Sequence, residues 1–207
     1  MRQTVYQTHE KAEIDRLLAE EGHGFLGITT PDGWPSVVPV NFVHLDGRVY
    51  FHGASEGEKM DSLGADPRVT FTVVRDLSVV PSYYQHPKFA CPATQYYQSV
   101  MIRGRARFVE TAEEKARVLQ ALMEKLQPEG GYEPITAEAP RYRKSLATTA
   151  VTAIEIERIT GKFKFGQNLP RRKQESVADR LEQRGCPIDL TTGAVMRRGL
   201  AARKEKP

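Results

Sequence analysis

The sequence predicts a mainly β fold with helices: an antiparallel barrel, closed or split. Three observations predict it. Apolar runs of strand length recur through the first half, and Asp46-Gly47 between two of them is a strong hairpin signal. Few strands are followed by a helix long enough for a parallel crossover, so a doubly wound sheet fits poorly. No internal repeat is present, which sets aside solenoids and propellers.

The elements follow in order. Glu10 to Glu21 reads as a helix with Ile14, Leu17 and Leu18 on one face, ended by Gly22 and Gly24. "GFLGITT" is a strand and "PDGW" a turn. "PSVVPVNFV" is a second strand. Pro35 and Pro39 mark it as an edge, a bulge, or a place where the backbone bonds something other than a neighbouring strand. "HLDGRVYFHG" completes the hairpin, "EKMDSLGA" is a short helix and "RVTFTVV" another strand. From Arg75 to Thr94 the strand pattern lapses into a long loop rich in proline and aromatics, the kind of segment that often carries function. "YYQSVMIRGRARFVE" is a long strand. Thr111 and Glu114 form a capping box for a helix from Ala112 to Leu126, with Ala116, Leu119, Leu122, Met123 and Leu126 on its buried side. A helical turn covers Tyr142 to Leu146, "TAVTAIEIERI" is a strand, and "GKFKFGQNLP" is a separate extended piece. Lys173 to Arg184 is a terminal helix with a thin stripe of Val177 and Leu181.

The 207 residues, 40% hydrophobic and 27% charged, place the chain among soluble globular proteins. No apolar stretch is long enough to span a membrane, and the charged start lacks a signal-peptide core, so a cytoplasmic location is the default expectation. Cys91 and Cys186 suggest neither a disulfide framework nor a metal site, and the five histidines lack ligand spacing, so no metal is expected. Net charge is +4 but uneven: Arg158 to Pro207 holds 13 Lys/Arg against 5 Asp/Glu, leaving the first 157 residues at −4. The basic end suits nucleic acid or another anion, without any recognition-helix or zinc-finger spacing. A solvated terminus from Gly193 to Pro207 is the plainer expectation.

Walker and dinucleotide fingerprints are absent, as are His-Glu-x-x-His, Cys-x-x-Cys and Gly-x-Ser-x-Gly. The stretch "FHGASEGEKM" gathers His52, Ser55, Gly57 and Lys59 where a strand meets a helix start, an arrangement suited to phosphate. Lys59 reads equally as a solvated surface lysine. His52 reads as a buried, hydrogen-bonded histidine or as a cofactor contact. Asn41, polar within "VPVNFV", needs a backbone partner or the edge of a heterocycle if buried. Ser99 shares a strand face with Arg103, Arg105 and Arg107, which form a solvated face or an anion-facing wall. Gln167 and Asn168 are adjacent amides that can read a planar heterocycle.

The stretches "GFLGITTPDGWPSVVPVNFVHLDGRVYFHGASEGEKMDSL", "YYQSVMIRGRARFVETAEEKARVLQALMEK" and "AIEIERITGKFKFGQN" together resemble the FMN-binding split-barrel proteins related to pyridoxamine 5'-phosphate oxidase. Within these the chain is most similar to the nitroimidazole-resistance-type reductases. The resemblance covers roughly Gly24 to Asn168 and implies a six-stranded antiparallel split barrel and a homodimer with FMN in the grooves between subunits; the domain reading is then a flavin-binding barrel with its N-terminal helix over residues 1–168 and a basic helix and tail over 169–207. It implies that Pro39, Val40, Asn41 and Phe42 run along the isoalloxazine ring. His52, Ser55, Glu56, Gly57, Lys59 and Met60 would bind flavin and phosphate, and Ser99 and Val100 would touch the cofactor. Lys164, Gln167 and Asn168 would approach the same site. The implied activity is electron transfer from a reduced nicotinamide to a small planar acceptor, nitro- or quinone-like. No residue stands out as a catalytic acid or base. A non-catalytic flavin-binding sensor or regulator, or a haem- or deazaflavin-binding relative, is the alternative. The C-terminal ending of a true pyridoxamine 5'-phosphate oxidase is missing.

Overall fold

A computed structural model describes residues 4–202. They fall into two compact units. One comprises Glu10–Val73 and Val100–Thr160; the other comprises the residues before Glu10, Val74–Ser99, and those from Gly161 on.

In the first unit, α1 (Lys11–Glu20) is followed by β2 (His23–Thr29), β3 (Pro35–Leu45), β4 (Arg48–Gly53) and α2 (Glu58–Ala65). Two long strands, β5 (Arg68–Val80), in this unit as far as Val73, and β6 (Thr94–Phe108), in it from Val100, lead to α3 (Ala112–Leu126), α4 (Arg143–Thr148) and β7 (Ala150–Lys164), in it as far as Thr160. The strand neighbours are β7, β4, β3, β2, β5 and β6, and β6 pairs back onto β7. The ring is therefore antiparallel and six-stranded, as expected. Asp46 and Gly47 both take left-handed φ, 50° and 74°, which is the twist a two-residue hairpin turn demands. Alternating side chains from each strand fill the ring: Leu26, Phe42, Phe51, Phe71, Val73, Ile102 and Ile154 are fully buried. Phe42 meets Phe71 edge to face at 5.0 Å. Outside the ring, Val118 and Leu122 of α3 pack on Val43, Tyr50 and Val151. The Thr111 hydroxyl caps α3 by accepting the Glu114 N–H at 3.3 Å. Leu126, expected on the buried side, lies exposed in the last turn, and Val118 takes a place in the core instead.

In the second unit, a two-residue strand β1 (Gln7–Thr8) pairs antiparallel with the end of β7, Gln7 opposite Lys162 and Thr8 opposite Gly161. This is a seventh strand beyond the six expected. "TAVTAIEIERI" and "GKFKFGQNLP" do not form separate pieces, because β7 runs unbroken from Ala150 to Lys164. The expected lapse at Arg75 is also corrected: β5 continues to Val80, with Leu77, Ser78 and Val80 buried. The polar pair Arg75-Asp76 interrupts the apolar alternation without interrupting the strand.

Helix α5 (Arg171–Arg184) is joined by a further helix, α6 (Pro187–Ala202). The solvated terminus expected from Gly193 is thus overturned as far as Ala202; residues 203–207 of that expectation lie outside the described ones. Val195 and Met196 join Val177, Ala178, Leu181, Leu77, Val80 and Tyr96 in one core cluster. Asp189 is fully buried and accepts hydrogen bonds from Arg184 at 2.7 and 2.5 Å and from the Ser78 hydroxyl at 2.5 Å.

Candidate functional site

The first unit contains a fork between β3 and β4. β3 pairs with β2 from Pro35 to Asn41, but with β4 only from Phe42 to Leu45. The β3–β4 ladder ends at Phe42 opposite Phe51. Past that point β4 continues along β7, with His52 opposite Val151 and Gly53 opposite Ala150. Pro39–Asn41 and His52–Gly53 therefore present backbone edges that carry no β3–β4 ladder. Main-chain groups there are available to a ligand that can offer hydrogen-bonding edges of its own.

The turn after β4 leads into α2. Gly57 caps the helix with φ +109°, a conformation that L side chains resist, and no side chain caps it. The Gly57 carbonyl accepts the Met60 and Asp61 N–H groups, which leaves the earlier amides of the turn open, as at any helix start. Lys59 reaches back from the first turn. Its Nζ stands 5.5 Å from the centre of the Phe51 ring and 2.7 Å from where a Cβ on Gly53 would be. It makes no ion pair among the described residues. Gly53 is thus a cradle for the ammonium that a side chain would fill. Sequence reasoning did not single out Gly53; the signal was a glycine closing an apolar strand. Ser55, Glu56 and Gly57 are exposed beside it, and Met60 is half-buried.

His52 points outward and is exposed, so the buried reading fails. Partial desolvation first, and the Lys59 charge second, lower its pKa, so the ring is neutral at pH 7. Asn41 is exposed and donates to the Gly22 carbonyl at 2.9 Å. Pro39 also faces outward. The Val40, Phe42 and Val100 side chains are in the core, so these residues can meet a ligand through the main chain only. On the outer face of β6, Arg105 pairs with Glu157 and Arg107 with Glu114, both at 2.9 Å, the pattern of a solvated, charge-laced face.

The remaining expected residues lie in the second unit. The Ser99 hydroxyl donates to the Lys162 carbonyl at 3.4 Å. The Lys164 ammonium donates to the Thr94 hydroxyl. Gln167 is occupied by its own loop: its Oε1 accepts the Phe165 N–H at 2.9 Å and its Nε2 donates to the Phe163 carbonyl. Asn168 is exposed. Among the described residues no cluster of His, Cys, Asp or Glu could hold a metal ion, and no helix is long and apolar enough to cross a membrane.

The donor set of the first unit fits a phosphorylated planar heterocycle. Two open strand edges suit the ring, Ser55 and Glu56 suit hydroxyls of a sugar-like chain, and the α2 amides with Lys59 suit a phosphate. Glu58 and Asp61 also occupy the first turn of α2, where they complement its dipole, so Lys59 is the charge that favours an anion there.

An antiparallel ring that opens between two of its strands, with a short helix entering at the opening, is the split-barrel architecture. The chain belongs to the pyridoxamine 5'-phosphate oxidase family, whose model matches residues 10–163. Among solved structures it is similar to a Bacteroides thetaiotaomicron VPI-5482 protein named for 5-nitroimidazole antibiotic resistance. The two share 26% identity with a TM-score of 0.62, over 75% of this chain and 85% of that one. It also shares its fold with the flavocytochrome Anf3 of Azotobacter vinelandii, at 24% identity and TM-score 0.65 over 77% and 69% of the two chains. A Mycobacterium smegmatis FAD- and haem-binding protein has the same fold, at 20% identity and TM-score 0.62 over 77% and 73%. Among curated proteins, none matches this sequence.

Proposed function

We propose that the protein is an FMN-dependent oxidoreductase, working as a homodimer, that passes electrons from a reduced nicotinamide to a small planar acceptor of nitro or quinone type. The β3–β4 fork, with Lys59 cradled on Gly53 at its mouth, is the observation that carries this reading. FMN, when bound, would supply the redox chemistry; the chain would supply its position and surroundings. Pro39, Val40, Asn41 and Phe42 would line the ring edge, the first, second and fourth by main chain. Ser55, Glu56, Gly57, Lys59 and Met60 would hold the ribityl and phosphate end. Ser99, Val100, Lys164, Gln167 and Asn168 are carried as contacts by the family likeness. His52, neutral and exposed, would face the substrate as a hydrogen-bond partner. The similarity to a protein named for nitroimidazole resistance supports a nitro-type acceptor.

A visible spectrum of the protein as purified, repeated after FMN addition and removal of excess, tests the cofactor. Retained flavin bands support it; a colourless protein that cannot hold FMN sinks it. Oxidation of a reduced nicotinamide that depends on a nitroaromatic then tests turnover. Haem ligation is a second reading, favoured by the exposed and neutral His52 ring. It requires a Soret band on haem addition that disappears in His52→Ala.

A further inference from the structure

The second unit contains a pocket of about 200 Å³. Tyr6, Tyr96, Lys164 and Asn168 line it, with Cys91 among the lining residues. Tyr6 is 7% exposed and Tyr96 2%. Neither hydroxyl has a hydrogen-bond partner among the described residues, and neither is sealed away from open space. Each residue is buried while its hydroxyl opens onto the pocket and is engaged by no group among the described residues, which leaves it free to bond a ligand there. Gly166, at φ +87°, allows the approach of Tyr96: a Cβ there would lie 2.5 Å from the Tyr96 hydroxyl oxygen.

The charge of the lining is one-sided. Two phenols, the Lys164 ammonium, the Gln85 and Asn168 carboxamides and the Thr94 hydroxyl carry donors, and no carboxylate lines the pocket. Burial raises both phenol pKa values, that of Tyr96 to about 12, so both hydroxyls keep their protons. Lys162, close enough to influence Tyr6, adds a second positive charge nearby. The flank of Pro92, Ala93 and Leu169 is apolar. A ligand must therefore bring negative oxygens at one end and a small apolar body at the other.

We propose that this pocket binds a small organic carboxylate, its oxygens accepting hydrogen bonds from the Tyr6 and Tyr96 hydroxyls and the Lys164 ammonium. The site needs neither the β3–β4 fork nor Lys59 to bind its ligand. It does claim Lys164 and Asn168, which the family likeness would give to the cofactor.

Calorimetric titration with benzoate, and with benzamide as its neutral counterpart, tests the site on the whole protein. Benzoate is expected to bind and benzamide to bind at least tenfold more weakly. Tyr96→Phe and Lys164→Met are each expected to weaken benzoate by about tenfold or more, since each removes a hydrogen bond to a charged group. Thermal melting of each variant checks that it folds. In a Cys186→Ser background, saturating benzoate should slow alkylation of Cys91, and Lys164→Met should abolish that protection. Equal binding of benzamide, unchanged benzoate affinity in both variants, or no benzoate binding at all overturns the proposal. Loss of bound flavin as benzoate is added would also overturn it, by showing one shared site. Flavin lost in Lys59 variants while benzoate still binds separates the two readings.

Discussion

Replacing Lys59 with methionine keeps its length and its contact with Phe51 but removes the charge resting against Gly53. A charge-assisted hydrogen bond to phosphate contributes about 1.5–3 kcal/mol, so Lys59→Met should weaken FMN binding roughly tenfold to hundredfold. Fluorescence titration measures this, and unchanged affinity would remove Lys59 from the site. Lys125 makes a separate prediction. Its ammonium lies 3.8 Å from the centre of the Phe42 ring and donates to the Leu18 and Phe42 carbonyls at 2.9 and 3.2 Å. Burial nevertheless pulls its pKa down to about 8. In the unfolded chain a lysine titrates near ~10.4, so between these values the unfolded state holds more protons. Stability contributed at this position should therefore rise as pH climbs from about 8 toward about 10.4. Urea midpoints across that window should show the rise, and Lys125→Met should lack it.

At the scale of elements, α6 shows what side-chain pattern alone conceals. Gly193 opens the stretch expected to be a solvated terminus, and Gly199 lies within it. In the structure they are sites of close approach. A Cβ at Gly193 would stand 2.9 Å from Glu182 Oε1, and one at Gly199 would stand 2.5 Å from the Phe165 ring. Contact between elements distant in the chain gives these glycines their purpose, and no local propensity records it. The anchor of α6 is Asp189, whose carboxyl is held at about 2 by Arg184 first and by Ser78 as well. Because that pKa is depressed, the pair stabilises the fold above the unfolded value near ~3.9 and loses its effect as pH falls toward 2. Asp189→Asn should cost about 2–3 kcal/mol at neutral pH, because Arg184 and Ser78 lose a charged partner. Chemical denaturation measures it, and a cost under about 0.5 kcal/mol would show that α6 docks by its apolar face alone. By contrast, α2, α3 and the Asp46-Gly47 hairpin were legible, because a capping box, a glycine start and a two-residue turn are local signals.

For the whole molecule, the basic balance of the C-terminal region is partly neutralised within the fold. Arg171 pairs with Glu175, Arg184 with Asp189, and Arg197 with Asp179 and Glu182. That leaves less free charge for nucleic acid than the count suggests. The homodimer proposal also belongs at this scale. Trp34 and Val37 are 71% and 67% exposed on the β2–β3 hairpin, a costly placement for large apolar side chains that face only water. Light scattering after gel filtration should give a dimer mass. Trp34→Glu combined with Val37→Glu should shift it toward the monomer and release flavin with it, if the groove between subunits holds the cofactor. A monomer in the unaltered protein would exclude that arrangement.

The sequence by itself determined the antiparallel ring, its hairpin, helices α2 and α3 and the family, because strand alternation and turn chemistry are written locally. It also marked "FHGASEGEKM" as the place where a strand hands over to a helix start. Only the tertiary structure decided that β3 and β4 part at Phe42 and Phe51, that Lys59 lies back on Gly53, and that Val40 and Phe42 spend their side chains on the core. It alone brought Tyr6 beside Tyr96, residues ninety positions apart, around one pocket. The reason is physical: where a ladder ends, and which hydroxyls are left without partners, depends on contacts between distant segments. Those contacts exist only once the chain has closed on itself.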